Sequence, residues 1–231
     1  MARNFARTGF DAGQSIDCGN SATLNPSNNF SLACWARFGT FPTDNAGAYV
    51  AQFLLSRDDA STQRSYSLLL VDYQGTKNTM DFVVFRNSST YSEAQDTTAV
   101  AINTWYHFLG TYEFVTNGTS ILKLYKNGTL VKTTTNGVGP CASTTATNYL
   151  GRRSGASIFP LNGQLAECAI YSRTLSASDA VSLARGASPP LVRPDGLVMY
   201  APLVRDIMDT TGKATLTNNG TTATDHPRVY Y

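Results

Sequence analysis

Residues 30–38, FSLACWARF, alternate strictly: Phe30, Leu32, Cys34, Ala36 and Phe38 fall on one face, Ser31, Ala33, Trp35 and Arg37 on the other. A period of two is that of a strand with one buried face. SYSLLLVDY (65–73) and DFVVFR (81–86) read as two further strands joined by QGTKNTM, and WYHFLGTYEF (105–114) as another. After TNGTS comes ILKLYKNGTLVKTTT, in which Asn127–Gly128 separates two apolar stretches. That residue pair accepts positive φ at both central positions of a type I′ turn, so a tight hairpin is predicted there. NYLGRR (148–153) and GQLAECAIYS (163–172) add two short strands. With turn signals about every 8–12 residues, the pattern predicts an all-β sandwich.

One segment departs from that period. Ser176 can cap a short helix near residues 177–185, Asp179 can bond back to the cap, and Gly186 stands where a left-handed residue ends it. A proline-rich linker, 188–195, follows. The tail, 196–231, carries two strand-like runs and a second Asn–Gly turn at Asn219–Gly220. So few residues cannot bury a core alone. The tail is expected to pack back onto the sandwich formed by residues 1–187, giving a single domain.

Composition narrows the function classes. The chain has 231 residues, 15% charged, with a net charge of +2. No like-charge run marks a nucleic-acid partner. No apolar run approaches the roughly 18 residues of a membrane helix, and the opening MARNFARTGF has no secretory core. The expectation is synthesis in the cytoplasm without a signal peptide and no membrane insertion. Cys18, Cys34, Cys141 and Cys168 lack metal-ligand spacing and read as buried free thiols. The five Asn-x-Ser/Thr triplets, at Asn29, Asn87, Asn117, Asn127 and Asn219, read as a by-product of an Asn- and Thr-rich composition.

Three ordered segments resemble laminin-G-like domains, the jelly rolls of the concanavalin A-like lectin/glucanase superfamily. NFARTGFDAGQSIDCGNSATLNPSNNFSLACWARF resembles their opening strands, NTWYHFLGTYE...LKLYKNGTLV their Trp-x-His strand and hairpin, and NGQLAECAIYSRTLSASDA their closing strand and capped helix. The resemblance covers residues 4–186 and implies a concanavalin A-like antiparallel jelly roll. GLVMYAPL...KATLTNNG resembles strands that usually come first in this family, an arrangement like a circular permutation. The MARNF opening, the Trp strand and the DHPRVYY ending are also similar to laminin-G-like proteins of bacteriophages. That similarity implies a virion-surface or tail-associated protein, with other virion proteins or cell-surface glycans as partners and a homo-oligomer as its form.

Catalysis is not expected. Glycoside hydrolysis needs two carboxyl groups roughly 5–9.5 Å apart. Glu93, Glu113 and Glu167 are the only glutamates, and none has an acid two residues away. A serine hydrolase needs a His base. His107 matches the family's Trp-x-His and reads as a hydrogen-bonded core residue beside the structural Trp35; His226 lies in the tail. Calcium is the one cofactor left open, because relatives of this kind bind it at a rim, and Asp58–Asp59 is the adjacent acidic pair that would ligate it. For a glycan, Tyr49, Tyr91, Arg152, Arg153 and Phe159 are the loop candidates. The closing strand of the family reads Gly-x-Ile-Asp-Glu where this chain has Gly163-Gln164-Leu165-Ala166-Glu167. Glu167 is therefore expected to be structural, partly buried and on the face of Leu165, Ala169 and Tyr171. The reading is a non-catalytic capsid-decoration or adhesion module, with a free-standing, calcium-assisted lectin as the alternative.

Overall fold

A computed structural model describes residues 2–9, 12–41, 50–73, 76–116, 119–136, 139–155 and 158–227. Among these, two large antiparallel sheets face each other. The first runs in the order β12 (Thr129–Asn136), β11 (Ser120–Lys126), β10 (Trp105–Phe114), β5 (Asn29–Phe38), β14 (Gly163–Tyr171), β1 (Ala2–Phe5) and β17 (Thr222–Thr224), with β15 (Leu197–Ala201) also on β14. The second runs β16 (Thr217–Asn219), β4 (Ser15–Asp17), β13 (Tyr149–Leu150), β6 (Val50–Asp58), β7 (Arg64–Tyr73), β8 (Thr76–Phe85) and β9 (Tyr91–Gln95). A small ribbon pairs β2 (Arg7–Gly9) with β3 (Ala12–Gly13). The all-β sandwich is the one the alternation predicts, and the antiparallel jelly roll with its short helix is the one the family resemblance implies.

The alternating face of β5 enters the main core, where Phe30 meets Tyr66 at 5.3 Å and Tyr112 at 5.2 Å between ring centres. Across the sandwich, Phe82 fits because β10 carries Gly110: a Cβ there would lie 2.6 Å from the Phe82 ring. Asn127 (φ 52°) and Gly128 (φ 79°) form the predicted turn between β11 and β12. The helix α1 spans Ala177–Ala184, and Ser176 and Asp179 complete a reciprocal cap. Its apolar residues Ala180 and Leu183 cover Leu109, Tyr125 and Tyr171 on the outer face of the first sheet. All four cysteines are free and buried. Among the described residues, no helix is long and apolar enough to cross a membrane.

Several local readings change. The strand β8 starts at Thr76, since Thr76, Thr79 and Met80 pair with β7 instead of looping out. In the proline segment, Pro189 takes the first position of a helical turn, α2 (Pro189–Val192), where a missing N–H costs nothing. The tail supplies three strands, which pair with β14, β4 and β1.

Glu167 also departs from the simple alternation. In β14, Ala166 pairs with Trp35 and Ala169 with Ala33, so Glu167 and Cys168 oppose a single residue, a β-bulge. The extra residue turns the strand over. Leu165 points into the main core, whereas Ala169 and Tyr171 join the cluster under α1. The shared face expected for Leu165, Ala169 and Tyr171 therefore does not exist.

Candidate functional site

The free edges of both sheets come together on one side of the sandwich. There β9, the last strand of the second sheet, lies beside β12, the last strand of the first. Between them runs a groove of about 540 Å³ lined by Tyr91, Ser92, Glu93, Gln95, Thr97, Lys132 and Thr134. Tyr91, Glu93 and Gln95 share one face of β9 because strand side chains alternate. Tyr91 is 50% exposed and leans on Phe85, 5.5 Å away, which holds the ring without covering it. Edge strands also leave backbone N–H and C=O groups unpaired within reach of a ligand.

The groove's floor is braced from one end. Lys126 bonds Asp96 and Thr98, while the Asp96 N–H donates to the Met80 carbonyl at 2.8 Å. Burial pushes the Asp96 carboxyl up, but the Lys126 and Thr98 donors outweigh it and hold it below the usual carboxylate range. One register step in from Gln95 lies Asp81, 4% exposed. Burial, then the neighbouring Glu93 charge, push its carboxyl up to about 8. It therefore stays protonated at neutral pH.

Of the described loop residues expected to bind a ligand, Tyr91 alone reaches this groove. Tyr49 lies outside the described residues. Phe159, expected at the surface, is 5% exposed and stacks on Phe53 at 6.3 Å, its carbonyl accepting from the Phe53 N–H. Arg153 lies over that Phe159 ring, 4.7 Å from its centre, and Arg152 lies over Tyr149 at 4.7 Å. These two arginines and Phe159 form one packed segment over the outer face of the second sheet. Asp58 is also buried, and Arg64 grips it with Nε at 3.0 Å and Nη2 at 3.2 Å. Asp59 accepts from the Ser61 and Gln63 N–H groups and so shapes its own turn. A guanidinium at Asp58 competes directly with a cation, calcium needs six to eight oxygens, and among the described residues no third metal-ligating side chain joins the pair. The two acids do not fit a calcium site.

The residues expected to be structural sit on the outer face of the first sheet. His107 is buried edge-on to Trp35, 5.4 Å between ring centres. Its Nδ1 finds no partner among the described residues, contrary to the expectation of a hydrogen-bonded imidazole, and burial pushes its pKa down to about 3. It is a neutral packing residue, a poor general base. Glu167 is 3% exposed, accepts from the Tyr200 hydroxyl, and stands 2.9 Å from His226 Nε2. These contacts tie the bulge to the tail.

No curated protein sequence matches the chain. Among solved structures, a proposed carbohydrate-binding protein of Bacteroides ovatus superposes with a TM-score of 0.71 at 19% identity, covering 99% of this chain and 61% of that one. The chain thus spans under two thirds of that protein's length. The heptameric SAP-like pentraxin of Limulus polyphemus gives 0.65 at 13% identity, covering 96% and 93%. The binding domain of botulinum neurotoxin DC, solved in complex with SialylT, gives 0.52 at 16% identity, covering 79% and 42%. At such identities these likenesses show the fold. The family profile Laminin_G_3, concanavalin A-like lectin/glucanases superfamily, matches residues 10–180. With most of its length matched in this way, and with two facing antiparallel sheets to bear it out, the chain belongs to the concanavalin A-like lectin/glucanases superfamily.

Proposed function

We propose that the protein is a non-catalytic recognition module that binds a glycan in the groove between β9 and β12. The observation that carries this reading is a half-exposed tyrosine set among a carboxamide, a carboxylate, an ammonium and hydroxyls in one open groove. An aromatic face meets the weakly positive C–H edges of a sugar ring, and the polar groups around it satisfy its hydroxyls. Among the described residues, one carboxylate, Glu93, lines the groove. Hydrolysis by the two-carboxylate route lacks its second acid there. Lectin-like relatives by fold, including the Bacteroides ovatus protein, support the same reading.

A glycan array on the purified chain, followed by titration of the strongest ligand, tests it. Tyr91→Ala should weaken that ligand at least tenfold and leave the melting temperature unchanged. A silent array, or a ligand indifferent to Tyr91, overturns the proposal. The virion-surface setting is part of the same proposal and is supported by the likeness to phage-encoded laminin-G-like chains. Its test is mass spectrometry of particles purified from a host lysate, and absence from intact particles removes it.

A further inference from the structure

We infer a second, separate binding site on the outer face of the first sheet, built for a saccharide that carries a carboxylate. The strand register places Trp105, Arg37, Gln164, Asn4 and Thr222 in one row across β10, β5, β14, β1 and β17. Their chain neighbours Phe38, Leu165 and Phe5 are core residues, so the row faces outward. Arg37, Gln164 and Asn4, with Asn103 and Asn162 from adjoining loops, line a pocket of about 170 Å³. Four carboxamides around one guanidinium make a site that both donates to and accepts from hydroxyl groups.

The guanidinium decides the ligand's charge. Arg64, Arg173 and Arg193 each pair with an aspartate, whereas Arg37 donates to the Gln164 side-chain oxygen Oε1 at 3.3 Å and makes no ion pair among the described residues. Among the described residues, no acid lines the pocket. A planar fork without its own counter-ion matches a carboxylate bidentately. Because Arg37 is the one cation among the described lining residues, a singly charged group fits better than a doubly charged one. Trp105, partly buried, is next in the row beside Arg37.

The pocket's floor depends on two glycines. A Cβ on Gly163 would lie 2.3 Å from the Arg37 carbonyl oxygen, and one on Gly39 would lie 3.4 Å from that of Asn162. Asn103 adopts φ 57° and donates its N–H to the Phe38 carbonyl at 2.7 Å, which fixes it at the rim. None of these residues lines the Tyr91 groove, so the inference does not rest on that reading.

The test is titration of ¹⁵N-labelled protein with galacturonate, galactose, galacturonic acid methyl ester and inorganic phosphate. Galacturonate should bind saturably and move the Arg37 Nε–H signal and the carboxamide signals of Asn4, Asn103 and Asn162. Galactose and the ester should bind at least tenfold more weakly. Arg37→Gln and Asn103→Gly should each weaken galacturonate at least fivefold; the glycine keeps the left-handed backbone, so this variant carries the test if Arg37→Gln fails to fold. Equal binding of ester and acid, shifts confined to other residues, or phosphate binding as tightly as galacturonate would each overturn the inference.

Discussion

Asp81→Asn should stabilise the protein at neutral pH and do almost nothing in acid. The wild-type carboxyl lies mid-sheet between Leu69 and Gln95, with Oδ1 lacking a partner among the described residues. Burial and Glu93 raise its pKa from 3.8 to about 8 in the folded chain. A raised carboxyl pKa means the folded state holds a proton that the unfolded chain releases between about pH 4 and 8. Stability is therefore lost as pH rises through that window. Each pH unit inside it costs about 1.4 kcal/mol, so at pH 7 the group contributes a ceiling of about 4 kcal/mol of destabilisation. Relaxation around a buried charge returns part of this, and we expect a gain of about 2–4 kcal/mol for the neutral, isosteric asparagine. Urea unfolding followed by Trp35 and Trp105 fluorescence at pH 4.5, 6, 7 and 8 measures it. His107, pushed down to about 3, works with the opposite sign, since its share is lost as pH falls below about 6.5. It is common to both proteins and cancels in their difference. A difference that does not grow with pH would refute the reasoning.

Gly110→Ala should cost about 1–3 kcal/mol by driving a methyl into the Phe82 ring, seen as a lower urea midpoint at unchanged slope. Ser176→Ala removes the acceptor for the Asp179 N–H and should cost about 1 kcal/mol, with Ser176→Asp restoring most of it. Tyr200→Phe takes a donor from the buried Glu167 carboxylate and should cost about 1.5–3 kcal/mol, while leaving glycan titrations unchanged. Neither calcium nor a chelator should move the melting temperature; a calcium-dependent rise abolished by Asp58→Asn would reverse the account of that loop.

The fold was legible because its signals are local. The alternation of β5, the Asn127–Gly128 turn and the Ser176–Asp179 cap each need only a few adjacent residues, and each appears where the pattern places it. Glu167 shows where such reading stops. The bulge at this position needs a left-handed residue, usually glycine, yet Glu167 takes φ 53°. A non-glycine there costs about 1–2 kcal/mol. The Tyr200 hydroxyl and the bond from the Glu167 N–H to the Pro202 carbonyl offset that cost, and both partners lie more than 30 residues away in the tail. Nothing within β14 announces them.

The candidate site was less legible for the same reason, and Tyr91 and Phe159 make the comparison direct. Both are aromatics that read as loop residues outside the clear strand runs, and the sequence gives no sign of which one is covered. Phe159 is pressed onto Phe53 because its segment crosses the outer face of β6 and β7, where Ala51, Leu69 and Val71 leave an apolar surface to be covered. Tyr91 stays open because its strand ends a sheet, and what faces it is the polar margin of β12, Lys132 and Thr134. Exposure is thus set by strand order, a property of pairings between residues far apart in the chain. The row from Trp105 to Asn4 follows the same logic, since its members come from four strands that no sequence window spans. In a sandwich whose inner faces are filled by core, ligand chemistry collects where pairing ends or where a row faces outward, and only the register reveals which side chains share that place.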